Sequence, residues 1–127
     1  MENRFEEDDK DLTILDRKTG LIWLKNANYF EKIMTWKEAV DACNSLTIAG
    51  GGWRLPERFE LEGLLDLARH DPALPQGHPF KNVQSFGYWS ATTHAVHASR
   101  AWAVGMSYGV VYYYFKTGNS FYVWPVR

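Results

Sequence analysis

The hydrophobic pattern changes character part-way along the chain, helical spacing in the first part giving way to strand-like runs in the second. Leu12–Asp16 and Gly20–Leu24 are short β-rich runs, and Asp16-Arg17-Lys18-Thr19-Gly20 between them carries turn chemistry, so the pair reads as a hairpin. Asn26–Lys32 reads as a loop. Thr35-Trp36-Lys37-Glu38 is a capping box, and Trp36, Ala39, Val40, Cys43 and Leu46 follow at helical spacing. Gly50-Gly51-Gly52 stops that helix, because glycine reaches backbone angles closed to other residues. Trp53 and Leu55 then lie two apart, as a short extended piece entering a core would place them. Pro56 suits the first turn of a second helix, whose Leu61, Leu64, Leu65 and Ala68 share a face. That helix is expected to end near His70-Asp71-Pro72.

A proline-rich loop runs from Pro72 to Gly87, and four strands follow: Tyr88–Thr92, Arg100–Met106, Gly109–Phe115 and Ser120–Arg127. Trp102, Val104 and Met106 alternate with Ala103 and Gly105, which predicts a strand with one buried face. The order β-β-α-α-β-β-β-β, with helices bunched early, predicts an α+β domain over residues 12–127. Residues 1–11 are polar and acidic and are expected to form a frayed lead-in.

Charge sharpens this division. All 15 acidic residues lie at or before Asp71; from Pro72 onward the only charged side chains besides histidine are Lys81, Arg100, Lys116 and Arg127. A surface built from the second part is neutral to mildly positive and rich in Tyr, Trp, Ser and Thr. The net charge of −1 gives no support to phosphate-driven nucleic-acid binding. Aromatics make up 16% of the chain, with six tryptophans, which signals a heavily aromatic core or an aromatic binding face. There is no 18-residue apolar run to span a membrane and no signal-peptide pattern, so the expected location is cytoplasmic, or extracellular or phage-associated for a piece of a larger exported protein. Trp-Arg-Leu follows the three glycines where a P-loop needs Gly-Lys-Ser/Thr.

Several motifs in order resemble one family: Thr19-Gly20-Leu21-Ile22-Trp23, Trp36 to Ala39 with Cys43, Trp53-Arg54-Leu55-Pro56 with Glu60-Leu61, Tyr88 to Thr92, Ala101-Trp102, and Val123 to Arg127. Together they resemble the C-terminal domain of the Legionella collagen-like adhesin, over roughly residues 10–127. The resemblance implies a C-type-lectin-like fold, shared with formylglycine-generating enzymes and the variable proteins of diversity-generating retroelements. It implies a surface, secreted or phage-associated binding module, with sulfated glycans as the adhesin's ligand and a trimer as its assembly. Lectin-like domains bring their ends together, so Leu12–Asp16 is expected beside Phe121–Val126, with Trp53, Leu55, Trp89 and Trp102 mostly buried. Many members carry a second cysteine near the C-terminus, where Pro125 stands here, and Trp124 replaces an arginine of the retroelement-type ending.

The chemistry-bearing residues point away from catalysis. Cys43, the single cysteine, lies on an apolar helix face and reads as a buried hydrophobe; no internal disulfide or Cys-pair zinc site is open to it. The cysteine pair of a formylglycine-type oxidase is missing, which leaves that enzyme as the alternative from another class. His94 and His97 form a weak HxxH with no Cys, Asp or Glu nearby to complete a metal set, and His70 and His78 read as loop histidines. Calcium needs clustered oxygen ligands, which the carboxylate-free second part does not offer. No cofactor is expected.

Tyr112-Tyr113-Tyr114-Phe115 carries the binding signal. If Val111 continues the buried phase, Tyr113 and Phe115 point inward, and Tyr112 and Tyr114 outward as rigid contact groups. The expected site is His97, Arg100, Tyr108, Tyr112, Tyr114, Lys116 and Asn119, in a non-enzymatic module that takes a glycan, sulfated in one version, or a protein surface. A retroelement-diversified or phage receptor-binding protein is the rival within that class. The Pro72–Phe80 loop is the second candidate location.

Overall fold

In the computed structural model, which describes residues 3–127, strand pairing starts earlier than the polar N-terminal composition suggests. Phe5–Glu7 (β1) runs antiparallel to Thr13–Asp16 (β2), which pairs with Leu21–Leu24 (β3). The frayed lead-in expected over residues 1–11 is corrected here. Phe5 packs edge-on against Phe80 at 5.2 Å, and Arg4 grips the Asp16 carboxylate through two 2.8 Å bonds. Two such anchors outweigh polar composition. Met1 and Glu2 lie outside the described residues.

The hairpin forms as expected. Gly20 adopts a φ of +80°, and the Thr19 and Gly20 N–H groups both donate to the Asp16 carbonyl. The capping box starts α1 (Trp36–Ser45), with the Thr35 N–H donating to Glu38 Oε1 at 2.9 Å. This helix buries Ala39 and Cys43. A 3₁₀ turn at Ile48–Gly50 follows, and Gly50, Gly51 and Gly52 all take positive φ. Trp53 is then anchored by its indole N–H on the Ile48 carbonyl at 2.7 Å, and Arg54 bridges to Val126.

The second helix departs from expectation in both bounds. α2 covers Arg58–Glu62 only, so Pro56 precedes the Glu57 N-cap and does not stand in the first turn. Beyond Gly63, tertiary bonds take the backbone groups that a longer helix would use. The Asp66 N–H donates to the Ala73 carbonyl, and the Asp71 N–H to that of Ser107. Leu61 and Leu64 still reach the core.

A second antiparallel sheet follows in the order β4 (Gly87–Thr93), β5 (Arg100–Gly105), β6 (Val111–Phe115). The fold is thus mixed α+β, with two three-stranded sheets and short helices. The expected strand over Ser120–Arg127 is instead a series of bridges that stitch the layers together: Met34 to Phe121, Tyr88 to Tyr122, and both Trp23 and Arg54 to Val126. The C-terminal segment lies beside β3 and not beside Leu12–Asp16. Ile22 and Arg127 exchange both backbone bonds, at 2.8 and 2.9 Å. β2 is unavailable because β1 and β3 already occupy both its edges.

The second sheet separates two cores. One gathers Ile14, Trp23, Leu61, Leu64, Tyr88, Val104 and Trp124; the other gathers Ala39, Cys43, Leu55, Trp89, Ala101, Ala103 and Phe121. β5 therefore buries residues on both faces, not on one as the alternation suggests. Trp53, Leu55 and Trp89 are buried, whereas Trp102 is only partly covered.

Candidate functional site

The register of β5 with β6 decides which aromatic rings meet. Arg100 stands opposite Phe115 and Trp102 opposite Tyr113, so these four share one face; Ala101 opposes Tyr114 and Ala103 opposes Tyr112 on the other. The second face packs on the α1 core, and Tyr114 turns into it, its ring 4.7 Å from Phe121. Phe115 stays half exposed. The expected orientation of these two residues is thereby reversed. The inference carried the phase over from Val111, but a sheet with a core on each side has no single buried phase. Tyr112 is 52% exposed, as expected, and its ring stacks on Tyr113 at 4.6 Å. Interaction with the Tyr113 hydroxyl raises the Tyr112 phenol above its ordinary value, so it stays neutral at physiological pH.

On the first face, one end lies over core and the other opens to solvent. Around Trp102 at the open end, His94 accepts the N–H groups of Val96 and His97 on its Nδ1, each at 3.2 Å. That local turn holds its ring 4.4 Å from Tyr113 and 5.4 Å from Trp102, with His97 stacked behind at 5.1 Å. Arg58 arrives from α2 and lies 4.1 Å above the Trp102 ring. Its backbone N–H is tied to Thr92 Oγ1 at 2.8 Å, and its guanidinium to Glu62 at 2.6 Å. Arg100 lies 4.4 Å from the Phe115 ring and 5.5 Å from that of Tyr113. Among the described residues it has no carboxylate within ion-pair distance. A cation held by rings alone keeps its hydrogen-bonding capacity for a ligand.

A shallow depression of about 250 Å³ wraps the free edge of β6, lined by Arg100, Tyr112, Tyr113, Tyr114, Phe115 and Asn119. The structure thus joins four of the expected site residues, Arg100, Tyr112, Tyr114 and Asn119, and brings His97 to the open face through His94. It leaves two apart. Lys116 lies over the Trp36 ring at 4.1 Å and donates to Thr93 Oγ1 at 3.0 Å. Tyr108 sits in the β5–β6 turn, stacked on His70 at 5.6 Å. Sequence reasoning missed Arg58, His94, Trp102, Tyr113 and Phe115. The spacing of Arg100 and Trp102 signals two of the group's members on one strand face, but nothing local links Arg58 to them.

The second candidate location is a wider cleft of about 620 Å³ between β1 and the Pro75–Pro79 loop. Its charges are already matched, Arg4 by Asp16 and Arg17 by Glu6. Cys43 is fully buried, and desolvation pushes its thiol up to about 12, which keeps it protonated at neutral pH. Among the described residues no three His, Cys, Asp or Glu side chains converge as a metal set, and no helix is long and apolar enough to cross a membrane.

A comparison with curated proteins finds no match to the chain. The family model described as the Lcl C-terminal domain matches residues 12–127, from the start of the hairpin to the last residue, and the chain belongs to that family.

Proposed function

We propose that this domain is a non-enzymatic, C-type-lectin-like ligand-binding module of adhesin type, with its site on the open end of the β4–β6 sheet. Membership of the Lcl C-terminal domain family supports the adhesin-type reading. The order of early helices before a late antiparallel sheet supports the lectin-like reading, as does the return of the C-terminal segment to the N-terminal sheet, although it meets β3 and not the expected Leu12–Asp16. The observation that carries the site is Arg100: a guanidinium with no carboxylate partner among the described residues, set over Phe115 and Tyr113 beside Trp102. Rings in this arrangement stack on sugar faces or apolar protein surface, and the guanidinium takes an anionic or carbonyl oxygen. Catalysis has no support from a buried, protonated Cys43.

The test is capture on arrays of sulfated and unsulfated glycans and of immobilised surface proteins, by the wild-type chain and by Arg100→Ala and Phe115→Ala. Both variants should fold and should lose at least about tenfold in affinity, as hot-spot truncations do. Binding that weakens with salt on the sulfated arm alone would assign the anionic glycan. Unchanged capture by both variants would place the site elsewhere.

A further inference from the structure

Two three-stranded sheets have four edges, and this fold treats them unequally. The outer edge of β3 is closed by Pro125 and Arg127, and that of β4 by Tyr122 and the Pro56 carbonyl. β1 is three residues long, and its Glu6 and Glu7 sit in ion pairs with Arg17 and Lys25. Shortness and charge are ordinary protections for an edge. β6 has none of these. It is five residues long, Val-Tyr-Tyr-Tyr-Phe, with no charge and no proline.

Its free groups can be assigned from the bonds that flank the ladder. The Gly105 N–H donates to the Val110 carbonyl and the Lys116 N–H to that of Ser99, so even-numbered residues of β6 face β5. Val111, Tyr113 and Phe115 then direct N–H and C=O outward, and no backbone bond among the described residues meets them. These three positions are symmetric about Tyr113. We propose that β6 pairs antiparallel with β6 of a second copy of this chain, with the two-fold axis at Tyr113, giving one continuous six-stranded sheet.

That register uses all three free positions. It sets Tyr113 opposite Tyr113, Val111 opposite Phe115 and Tyr112 opposite Tyr114 of the other copy. Each is an aromatic or aromatic–aliphatic cross-strand pair, the kind that stabilises sheets. The strand's lack of charge favours its own kind as partner, since no like charges meet across the axis, and a two-fold contact is self-complementary by construction. The pairing goes beyond the ligand-binding reading and does not depend on it: capture left unchanged by Arg100→Ala, with pairing intact, would overturn only that reading.

Sedimentation velocity from about 1 to about 300 µM should show a reversible two-copy species. Tyr113→Lys places like charges on the axis and should raise the dissociation constant at least about tenfold, as should Tyr113→Glu. An equimolar mixture of the two variants should recover association, because residue 113 faces itself only in this register. As a milder second probe, Tyr113→Cys should cross-link to its own copy on oxidation, since directly opposed Cα atoms lie about 5.5 Å apart, within disulfide range. Tyr108→Cys, in the turn, should cross-link far more slowly. A chain that stays monomeric throughout, a three-copy species, association indifferent to residue 113, or no recovery on mixing would each overturn the proposal.

Discussion

Glu60 offers a direct test of what locks the Trp53-Arg54-Leu55-Pro56 segment in place. Its carboxylate accepts two bonds from Arg54, at 2.7 and 2.8 Å, and the Glu57 N–H at 2.7 Å. One side chain thus caps α2 and fixes the arginine whose backbone bridges to Val126. Burial pushes the Glu60 carboxyl up, but the Arg54 and Glu57 hydrogen bonds outweigh it and hold the group below its ordinary 4.5. Charge-assisted bonds are worth about 1.5–3 kcal/mol each when buried, but Arg54 is 43% exposed and rehydrates on losing its partner. Glu60→Ala should therefore cost about 2–3 kcal/mol in all, and Glu60→Gln, which keeps some of the hydrogen bonds, about 1 kcal/mol. The sign with pH follows from the lowered value. The stabilisation is complete above the unfolded-state pKa near 4.5 and is lost as pH falls through the folded one. Urea unfolding followed by tryptophan fluorescence at pH 7 and about pH 2.5 reads both quantities. The gap between wild type and Glu60→Ala should be large at pH 7 and much reduced in acid. A gap under about 0.5 kcal/mol at pH 7, or one that persists at full size in acid, would refute the reasoning.

Two more outcomes follow from buried groups. The Cys43 thiol, buried and pushed up to about 12, should react with a thiol reagent in the native protein only through opening, and at once in denaturant; rapid native labelling would contradict its burial. Trp23 and Trp124 pack edge-on at 5.3 Å, but the Trp124 indole N–H reaches the Leu24 carbonyl at 2.9 Å, whereas the buried Trp23 N–H has no partner among the described residues. Trp124→Phe should thus cost about 1–3 kcal/mol more than Trp23→Phe by denaturant unfolding, because only the former orphans a buried acceptor.

Local chemistry was legible in the sequence wherever one short segment settled the matter. The hairpin at Asp16–Gly20, the capping box at Thr35 and the positive-φ glycines at 50–52 are each specified by residues within a few positions. The misreadings fall where distant segments decide. Leu64 and Leu65 keep a helical pattern, but the backbone beyond Gly63 is claimed by Ala73 and Ser107, which no window of the sequence reveals. Phe5 joins a sheet because Phe80 covers it, 75 positions further along the chain. Phe121–Arg127 has strand-like composition yet contributes single bridges to four partners, since its role is to close several layers and not to extend one.

The same distinction explains the site. Period-two alternation identifies a strand but fixes a buried face only when one side is covered, and β5 and β6 have core on both. Along β6 the cover changes from end to end: Val111 packs on one core, Tyr114 on the other, and Tyr112 and Phe115 on neither. A phase taken from Val111 therefore fails at Tyr114 and Phe115 although the strand itself is correct. Charge survives this failure because it does not depend on phase. The absence of carboxylates after Asp71 ensures that any cation on these strands must look to α2 or to the N-terminal part for an acidic partner. Arg58 has such a partner in Glu62, on its own helix, whereas Arg100 meets no carboxylate among the described residues and rests on rings. Composition predicts a neutral to mildly positive surface from the second part, and the register of β5 with β6 sets Arg100 over the rings of that surface.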